Sequence, residues 1–175
     1  MNLDDLDHFK KIDSLNMLGE IDNLPDQLGY AYQLGLKHKL PGWQDFKHVV
    51  IAGMGGSIIG ADLLAAYCAS LSPIPVSVHR DYDLPLFARG AETLVICISH
   101  SGDTEETLSA FEAAHKAECR IVAVCSTGEL AKRAQAHNVP LWTFDHASQA
   151  RAAVGFSLGL LLALFQRLGF IPDQK

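Results

Sequence analysis

Short apolar runs alternate with amphipathic segments along most of the chain. Runs typical of buried strands lie at 49–52, 76–78, 94–98, 120–125 and 141–143. The segments between them carry apolar residues at helical spacing, which predicts helices over 57–70, 104–117, 129–137 and 150–168. Strands that alternate with helices indicate an α/β fold with a parallel sheet and right-handed crossovers. The pattern therefore predicts a three-layer αβα sandwich around a five-stranded parallel sheet.

The chain before the first strand has a purely helical pattern. Apolar residues at helical spacing run through 3–37 and are interrupted at Pro25, which fits the first turn of a second helix. The sequence KLPGW that follows is typical of a turn. We therefore predict a helical lead-in over 1–40 and an α/β core over 41–175, which together form a single domain.

Two loops at the carboxyl ends of predicted strands carry the candidate chemistry. In such sheets, ligands bind beyond the carboxyl ends of the strands, at the point where the strand order reverses. In a flavodoxin-like order, 2-1-3-4-5, the first and third strands are neighbours at that point. Their exit loops, GMGGS at 53–57 and SHSGDT at 99–104, are the most polar and glycine-rich loops in the chain. The strand topology and the composition of the loops therefore both indicate a ligand site at the carboxyl ends of the first and third strands.

The first loop does not match either of the familiar nucleotide-binding motifs. The Rossmann fingerprint fails because its third glycine is missing, and the P-loop fails because no Lys-Ser/Thr pair follows. The backbone amides of Gly55 and Gly56, followed by Ser57 at the start of a helix, remain suited to an anion of modest size. The alternative is a tight turn in which Ser57 only caps the helix.

The second loop offers three hydroxyl groups, those of Ser99, Ser101 and Thr104, beside Gly102, which permits a sharp bend. Hydroxyls together with the amides of a helix N-terminus suit a phosphate monoester. Neither loop contains a lysine or arginine, so the binding would depend on neutral donors and the helix dipole. That arrangement predicts moderate affinity.

Acidic residues follow the second loop and have a structural explanation. Asp103 with Glu106 three residues later resembles a capping box, which is compatible with hydroxyls that face a ligand. Glu105 and Glu106 fall in the first turn of the predicted helix, where negative charge interacts favourably with the helix dipole. We therefore expect these acids to stabilise the helix, and a catalytic role for Glu105 or Glu106 is the less favoured alternative.

The last helix contains two further candidate features. Gly155-Phe156-Ser157-Leu158-Gly159 matches the nucleophile elbow of serine hydrolases, but the serine lies within an apolar helical run where no strand precedes it. The two glycines fit close helix packing better. Arg151 at the start of this helix is either a solvated end or a group that reaches the candidate site, and spacing alone does not decide between them.

Composition limits the function classes further. The net charge of −6 disfavours nucleic acid as a partner, and eight scattered histidines without ligand spacing give no reason to expect a metal. The four cysteines form no CxxC pair, so we expect free thiols and a reducing compartment. No signal peptide is visible, and the longest apolar stretch is short for a membrane span. These features predict a cytoplasmic protein without membrane contact and without a cofactor.

Taken together, these motifs resemble the sugar isomerase (SIS) domain family, and more narrowly the N-terminal half of the bifunctional phosphoglucose/phosphomannose isomerases. The resemblance runs over nearly the whole chain. The lead-in and the arginine helix are its more selective parts, because glycine-serine loops are common to many SIS proteins. The matching segments, in order, are DSLNMLGEIDNLPDQLGYA, GMGGSIIGADLL, DYDLP, SHSGDTEETLSA and ARAAVGFSLG.

The resemblance implies roles for residues of both loops and of the last helix. Arg151 matches an arginine near C1–C2 of the substrate, where a cation stabilises the cis-enediol(ate) of an aldose–ketose isomerisation. The implied reaction interconverts glucose 6-phosphate or mannose 6-phosphate with fructose 6-phosphate. The residues that match the phosphate-binding loops for this hexose 6-phosphate are Gly55, Gly56, Ser57, Ser99, Ser101 and Thr104. Thr104 fits equally well as a residue that only begins the helix and does not bind phosphate.

The chain also departs from the pattern of the family. His100 stands where a tyrosine is usual, Asp103 where an asparagine is common, and Gln149-Ala150 where the family has Gln-Pro. The family has two SIS domains, with its glutamate base and ring-opening histidine in the second. No base for the C2 proton is identifiable in this chain.

We therefore expect an N-terminal part of a longer two-domain protein, inactive by itself, that needs a second SIS domain or forms a homodimer. The alternative is a phosphosugar-sensing SIS module without catalytic activity.

Overall fold

The structure, a computed structural model, describes residues 6–174 as one sheet with helices on both faces. Residues 3–5 of the predicted lead-in helix and the last residue of the predicted domain lie outside this range. Five parallel strands are paired in the order β2-β1-β3-β4-β5, which confirms the predicted fold class and strand order. The strands are β1 His48–Gly53, β2 Val76–His79, β3 Thr93–Ser99, β4 Arg120–Cys125 and β5 Leu141–Thr143.

The helices surround the sheet in two layers. The helices are α1 Leu6–Ile12, α2 Met17–Asp22, α3 Leu24–Lys37, α4 Ile59–Cys68, α5 Glu105–Lys116, α6 Gly128–Ala136 and α7 Val154–Arg167. Successive strand residues point to opposite faces. Val49 and Ile51 accordingly join a core with α3, α4 and α7, whereas Val50 joins a second core with α5 and α6.

The lead-in contains one more break than its apolar spacing predicts. Asn16 adopts a left-handed conformation with φ of 52° and separates α1 from α2. The carboxylate of Asp13 accepts hydrogen bonds from the N–H groups of Met17 and Leu18, at 2.7 and 2.8 Å, and so satisfies the free amides at the start of α2. Pro25 lies in the first turn of α3, as expected.

Two predicted helices begin as short 3₁₀ helices. The first α-helix of the core is preceded by a 3₁₀ helix at Gly55–Ile58, and the last is preceded by one at Ala150–Ala152. The left-handed φ of 55° at Gly55 turns the chain out of β1, so the following turn is tighter than an α-helix. Both 3₁₀ helices lie at the carboxyl edge of the sheet, where they form part of the candidate site.

Helices α3 and α7 approach closely because α7 carries glycines on the shared face. A Cβ atom at Gly159 would lie 2.6 Å from the carbonyl oxygen of Leu28, and one at Gly155 would lie 2.6 Å from Cβ of Gln27. Ser157 lies within the helix and donates a hydrogen bond to the carbonyl of Val154 at 3.1 Å. The interpretation of the Gly-x-Ser-x-Gly sequence as a packing motif is thus confirmed, and a nucleophile elbow is excluded.

The four cysteines are free thiols, as expected. Burial raises the pKa of Cys68 to about 11 and, together with the charge of Asp103, that of Cys125 to about 11. Such thiols stay protonated and unreactive at neutral pH. Among residues 6–174, no helix combines the length and the apolar character that a membrane crossing requires.

Candidate functional site

The exit loops of β1 and β3 meet at the carboxyl edge of the sheet. The two strands are paired up to Gly53 and Ile98, so both loops leave the sheet side by side. The Oγ atom of Ser57 accepts a hydrogen bond from the backbone N–H of His100, with 3.1 Å between the atoms. The idea that Ser57 only caps the helix is therefore wrong, because α4 begins two residues later, at Ile59, and its cap has no side-chain hydrogen bond.

Three hydroxyls of the second loop form a compact group, which we call the hydroxyl cluster: Ser99, Ser101 and Thr104. The Oγ atom of Ser99 lies 2.9 Å from Oγ1 of Thr104 and 3.5 Å from Oγ of Ser101, and it accepts a hydrogen bond from the N–H of Gly102 at 3.0 Å. Ser99 is only 1% exposed, whereas Ser101 is exposed and Thr104 is half-buried. Ser99 thus holds the shape of the loop, and the other two hydroxyls are accessible to a ligand.

Helix α5 begins directly after the hydroxyl cluster, with Thr104 as its N-cap residue. No side-chain hydrogen bond caps this helix, so the amides of its first turn stay available as donors. Glu105 and Glu106 lie in the first turn, as predicted, and Glu105 accepts a hydrogen bond from the hydroxyl of Tyr82 at 3.1 Å. The helix dipole and the free amides favour an anion at this position.

The expected capping box between Asp103 and Glu106 is wrong. Oδ1 of Asp103 instead accepts a hydrogen bond from the N–H of Glu129 at 2.8 Å and so caps α6. The backbones at Gly102 and Gly128 cross in close contact, which carries Asp103 to the start of the neighbouring helix. The carbonyl of Gly102 also accepts a hydrogen bond from the N–H of Leu130 at 2.8 Å. The second loop is therefore fixed to α6 as well as to α5.

Arg151 lies beside the first glycine loop. A Cβ atom at Gly56 would come within 2.7 Å of both N and Cα of Arg151, so the two backbones are in direct contact. The side chain of Arg151 is exposed, and within residues 6–174 its guanidinium has no hydrogen bond or ion pair. The backbone of Arg151 therefore lies against the first loop, and its role in ligand binding stays a prediction.

A hydrogen-bonded chain of ionisable side chains extends from the second loop. Nε2 of His100 lies 3.0 Å from Nδ1 of His146, and Nε2 of His146 lies 3.4 Å from Oε2 of Glu20. The same oxygen of Glu20 accepts a hydrogen bond from the amide of Gln27 at 3.2 Å. We call this group the His–His–Glu chain, with members His100, His146 and Glu20. It connects the β3 loop, the segment after β5 and the lead-in helix α2.

The surroundings of the His–His–Glu chain are apolar. The His100 and His146 rings lie 5.7 Å and 5.4 Å from the rings of Phe144 and Phe156, respectively, and the side chain of His146 is only 8% exposed. Burial, followed by the charge of His146, lowers the pKa of His100 below its ordinary value, and a backbone contact with His146 offsets part of this effect. His100 is thus a neutral imidazole at neutral pH.

Sequence reasoning identified His100 only as an unusual residue and missed His146 and Glu20. The departure from tyrosine at position 100 was the one available signal. Glu20 lies 126 residues before His146, and no spacing rule connects them. No group of three or more His, Cys, Asp or Glu side chains within the described part of the chain is arranged to hold a metal ion.

Comparison with known proteins extends this description. The family model of the SIS domain matches residues 44–162. The chain is 40% identical over 156 residues to the bifunctional phosphoglucose/phosphomannose isomerase of Caldicellulosiruptor bescii, covering 89% of this chain and 46% of that protein. It is 35% identical over 140 residues to the protein of the same name from Aquifex aeolicus, covering 75% and 42%, respectively. The chain therefore spans less than half the length of these relatives.

Solved structures share the fold at lower sequence identity. The C-terminal domain of glucosamine-fructose-6-phosphate aminotransferase from Francisella tularensis has a TM-score of 0.61 and 17% identity, and the match covers 90% of this chain and 49% of that one. The protein c3406 of E. coli CFT073 has a TM-score of 0.57 and 22% identity, with coverage of 96% and 95%. At these identities the likeness shows the fold alone.

Proposed function

The chain belongs to the SIS domain family, and on that premise we propose that it binds the phosphate group of a hexose 6-phosphate in the two loops at the carboxyl edge of its sheet. The observation that supports this proposal is the meeting of the two loops through the Ser57–His100 hydrogen bond, beside the uncapped N-terminus of α5. The groups proposed to bind the phosphate are the backbone amides of the first loop and the hydroxyls of both loops. They belong to Gly55, Gly56, Ser57, Ser99, Ser101 and Thr104.

The chemistry of these groups favours a phosphate monoester. Hydroxyls and amides donate several hydrogen bonds to phosphate oxygens, and the positive end of the α5 dipole attracts the negative charge. Arg151 supplies the one unpaired cation described at the loops, and it stands beside Gly56 at the edge of the site. Ser99 contributes mainly by holding the loop, since its hydroxyl is buried and already accepts the N–H of Gly102.

For the intact protein we propose aldose–ketose isomerisation of glucose 6-phosphate or mannose 6-phosphate to fructose 6-phosphate. The names of its relatives support this reaction. In that mechanism, proton transfer between C1 and C2 passes through a cis-enediol(ate), and the guanidinium of Arg151 stabilises its developing negative charge. A second SIS domain would supply the glutamate base and the ring-opening histidine, or a second copy of the chain would complete the site.

A phosphosugar-sensing module without catalytic activity is the second candidate function. It is favoured by two of the carboxylates beside the hydroxyl cluster, because they are engaged elsewhere: Asp103 caps α6 and Glu105 accepts a hydrogen bond from Tyr82. The reading frame past Lys175 distinguishes the two candidates. A second SIS domain with a glutamate and a histidine in its pocket favours the isomerase, whereas a stop codon favours the sensor.

Phosphate binding is tested by thermal unfolding of the chain. We expect fructose 6-phosphate to raise the melting temperature, and free fructose to leave it unchanged. At about 100 times the dissociation constant the ligand stabilises by about 2.7 kcal/mol, which is roughly 5–10 °C for a domain of this size. The Ser101→Ala/Thr104→Ala double variant should lose most of this shift, because two hydroxyl donors worth roughly 0.5–1.5 kcal/mol each are removed.

A matched control for this experiment is Ser14→Ala/Ser70→Ala, which removes two exposed hydroxyls outside the loops. This control should keep the full shift. An equal shift in both double variants would place the phosphate site elsewhere on the molecule.

The role of Arg151 is tested in the intact isomerase. The variant Arg151→Gln should lower kcat roughly 10²-fold, because a cation that acts on the transition state is lost. The melting temperature should hardly change, since the side chain is exposed and makes no hydrogen bond in the part of the chain described. Unchanged kcat in this variant would exclude Arg151 from the reaction.

A further inference from the structure

The hydrogen-bond polarity of the His–His–Glu chain follows from its carboxylate end. The Glu20 carboxylate only accepts hydrogen bonds, so Nε2 of His146 donates to it. In the tautomer that carries its single proton on Nε2 of His146, Nδ1 of His146 is an acceptor and Nε2 of His100 is its donor. The lone pair of His100 is then at Nδ1. The His–His–Glu chain thus ends in one basic nitrogen, Nδ1 of His100.

The position of Glu20 is fixed from a second side. Gln27 is 3% exposed, and its amide donates to the same Glu20 oxygen that receives His146. The carbonyl oxygen of this glutamine is buried without a partner among the described residues. The orientation of the amide is therefore set by Glu20. Two donors that converge on one oxygen hold the carboxylate in place, and the carboxylate in turn orients His146.

His100 connects this chain directly to the proposed phosphate site. It lies between Ser99 and Ser101, and its backbone N–H donates to Ser57. A phosphate bound by these hydroxyls would bring up to two negative charges to the loop that carries His100. Since neither loop carries a lysine or arginine, the His100 imidazole is the titratable group of these two loops that can become a cation.

We propose that His100 takes up a proton at Nδ1 when a phosphate monoester binds to the hydroxyl cluster. The His100 imidazolium then supplies the positive charge that the loops otherwise lack. The proton comes from bulk solvent: a new N–H bond forms at Nδ1, and no other bond of the protein or ligand changes. His146 and Glu20 act as positioning residues, because His146 accepts from the other ring nitrogen of His100 and Glu20 holds His146 in place. This inference rests on the proposed function of the site.

The charges around His100 are consistent with this role. His146 contacts it from the segment after β5, with Glu20 of α2 behind it. Asp103 of the same loop is exposed and caps α6, and Asp145 is exposed beside His146. Arg151 stands across the first loop, against Gly56. Burial is the largest cause that lowers the pKa of His100, the charge of His146 lowers it further, and a backbone hydrogen bond with His146 offsets part of the effect. A bound anion therefore acts on an imidazole that is neutral beforehand.

Proton uptake is measured by titration calorimetry of fructose 6-phosphate at about pH 7, in two buffers of different ionisation enthalpy. If the pKa of His100 rises by about one unit on binding, uptake is on the order of a few tenths of a proton per ligand. Both the ligand and the protein can contribute to the measured proton change. The phosphate monoester, with a second pKa of about 6, releases protons if the dianion is selected and takes them up if the monoanion is selected, so a variant of His100 must assign the proton.

Variants test whether His100 is the group that takes up the proton. His100→Gln should bind fructose 6-phosphate more weakly and without proton uptake. From about pH 6 to about pH 8, the affinity ratio of the original chain to this variant should fall by up to roughly tenfold, since one pKa unit corresponds to a factor of ten. Glu20→Gln should reduce the uptake but leave binding measurable. His137→Gln is the matched control, because His137 pairs with His115 at 4.1 Å between ring centroids, away from both loops.

The outcomes separate the two proposals. Binding of fructose 6-phosphate without net proton uptake, or uptake that persists in His100→Gln, would overturn this inference and leave the proposed function standing. Absence of any binding would overturn both. If His100→Gln does not fold, imidazole NMR of the original chain decides: the pKa of His100 must rise on addition of fructose 6-phosphate, and an unchanged value would contradict the proposal.

Discussion

Replacing Gly102 by alanine is expected to destabilise the domain by roughly 2–5 kcal/mol and to abolish phosphate binding. Gly102 is buried and has a φ of 79°, and a left-handed conformation costs a residue with a Cβ roughly 1–2 kcal/mol. The added Cβ would lie 1.8 Å from the carbonyl oxygen of Thr127 and 3.0 Å from Cα of Gly128. Because these are backbone atoms, the crossing of the two loops must open, at a further cost of about 1–3 kcal/mol.

Opening this crossing would also disturb the hydroxyl cluster. The N–H of Gly102 donates to Ser99, and the cap that Asp103 provides to α6 depends on the same crossing. Stability is measured by urea denaturation and binding by the fructose 6-phosphate thermal shift.

Gly90→Ala is the matched control for Gly102→Ala, because Gly90 has a φ of 69° and open space around its Cβ position. It should cost only the conformational penalty of roughly 1–2 kcal/mol. An equal loss of unfolding free energy in Gly90→Ala and Gly102→Ala would mean that the close contact between the Gly102 and Gly128 backbones adds nothing to the cost of the Gly102 substitution.

Replacing Gly159 by valine is expected to destabilise the domain by about 3 kcal/mol through the contact between α3 and α7. A Cβ at this position would lie 2.6 Å from the carbonyl of Leu28, 2.8 Å from Cβ of Ala31 and 2.9 Å from the N–H nitrogen of Tyr32. Two of these atoms belong to the backbone of α3, so the helices must move apart. Their separation would also shift Gln27 and Glu20, which the lead-in places behind His146.

Gly29→Val serves as the control for this variant. Gly29 is an exposed residue of α3, and nothing lies within 4 Å of its Cβ position. Glycine and valine differ by only about 0.5 kcal/mol in helix propensity, so the free energy of unfolding should hardly change. Denaturation of both variants is compared in urea. A Gly159→Val protein as stable as Gly29→Val would show that a valine side chain fits between α3 and α7 without moving the two helices apart.

The fold was largely predictable from the sequence because its signals are local. Apolar runs such as 94–98 correspond to strands buried on both faces, and a strand buried in this way is recognisable without its neighbours. The boundaries were less accurate: the predicted helix over 57–70 begins as a 3₁₀ helix, and α4 itself spans Ile59–Cys68. Gly55 has a left-handed conformation at this boundary, and sequence alone does not reveal the φ angle that a glycine adopts.

The capping predictions failed for a related reason. The Asp103-x-x-Glu106 spacing fits a capping box, but the carboxylate of Asp103 caps α6 because the Gly102–Gly128 crossing brings the start of α6 closer. The same holds for Ser57, whose hydroxyl accepts a hydrogen bond from His100 and does not cap α4. A short polar side chain bonds to whichever free amide lies nearest, and that amide can belong to another element.

The sequence by itself determined the α/β class and the two loops in which a phosphosugar site is proposed. These follow from periodicity and from the rule that parallel strands open their loops at one edge. Only the tertiary structure decided which ionisable groups meet there. His100 and His146 are 46 residues apart, and His146 and Glu20 are 126 apart. Their hydrogen bonds depend on how α2 and the segment after β5 pack, and no local pattern encodes the distance between side chains on separate elements.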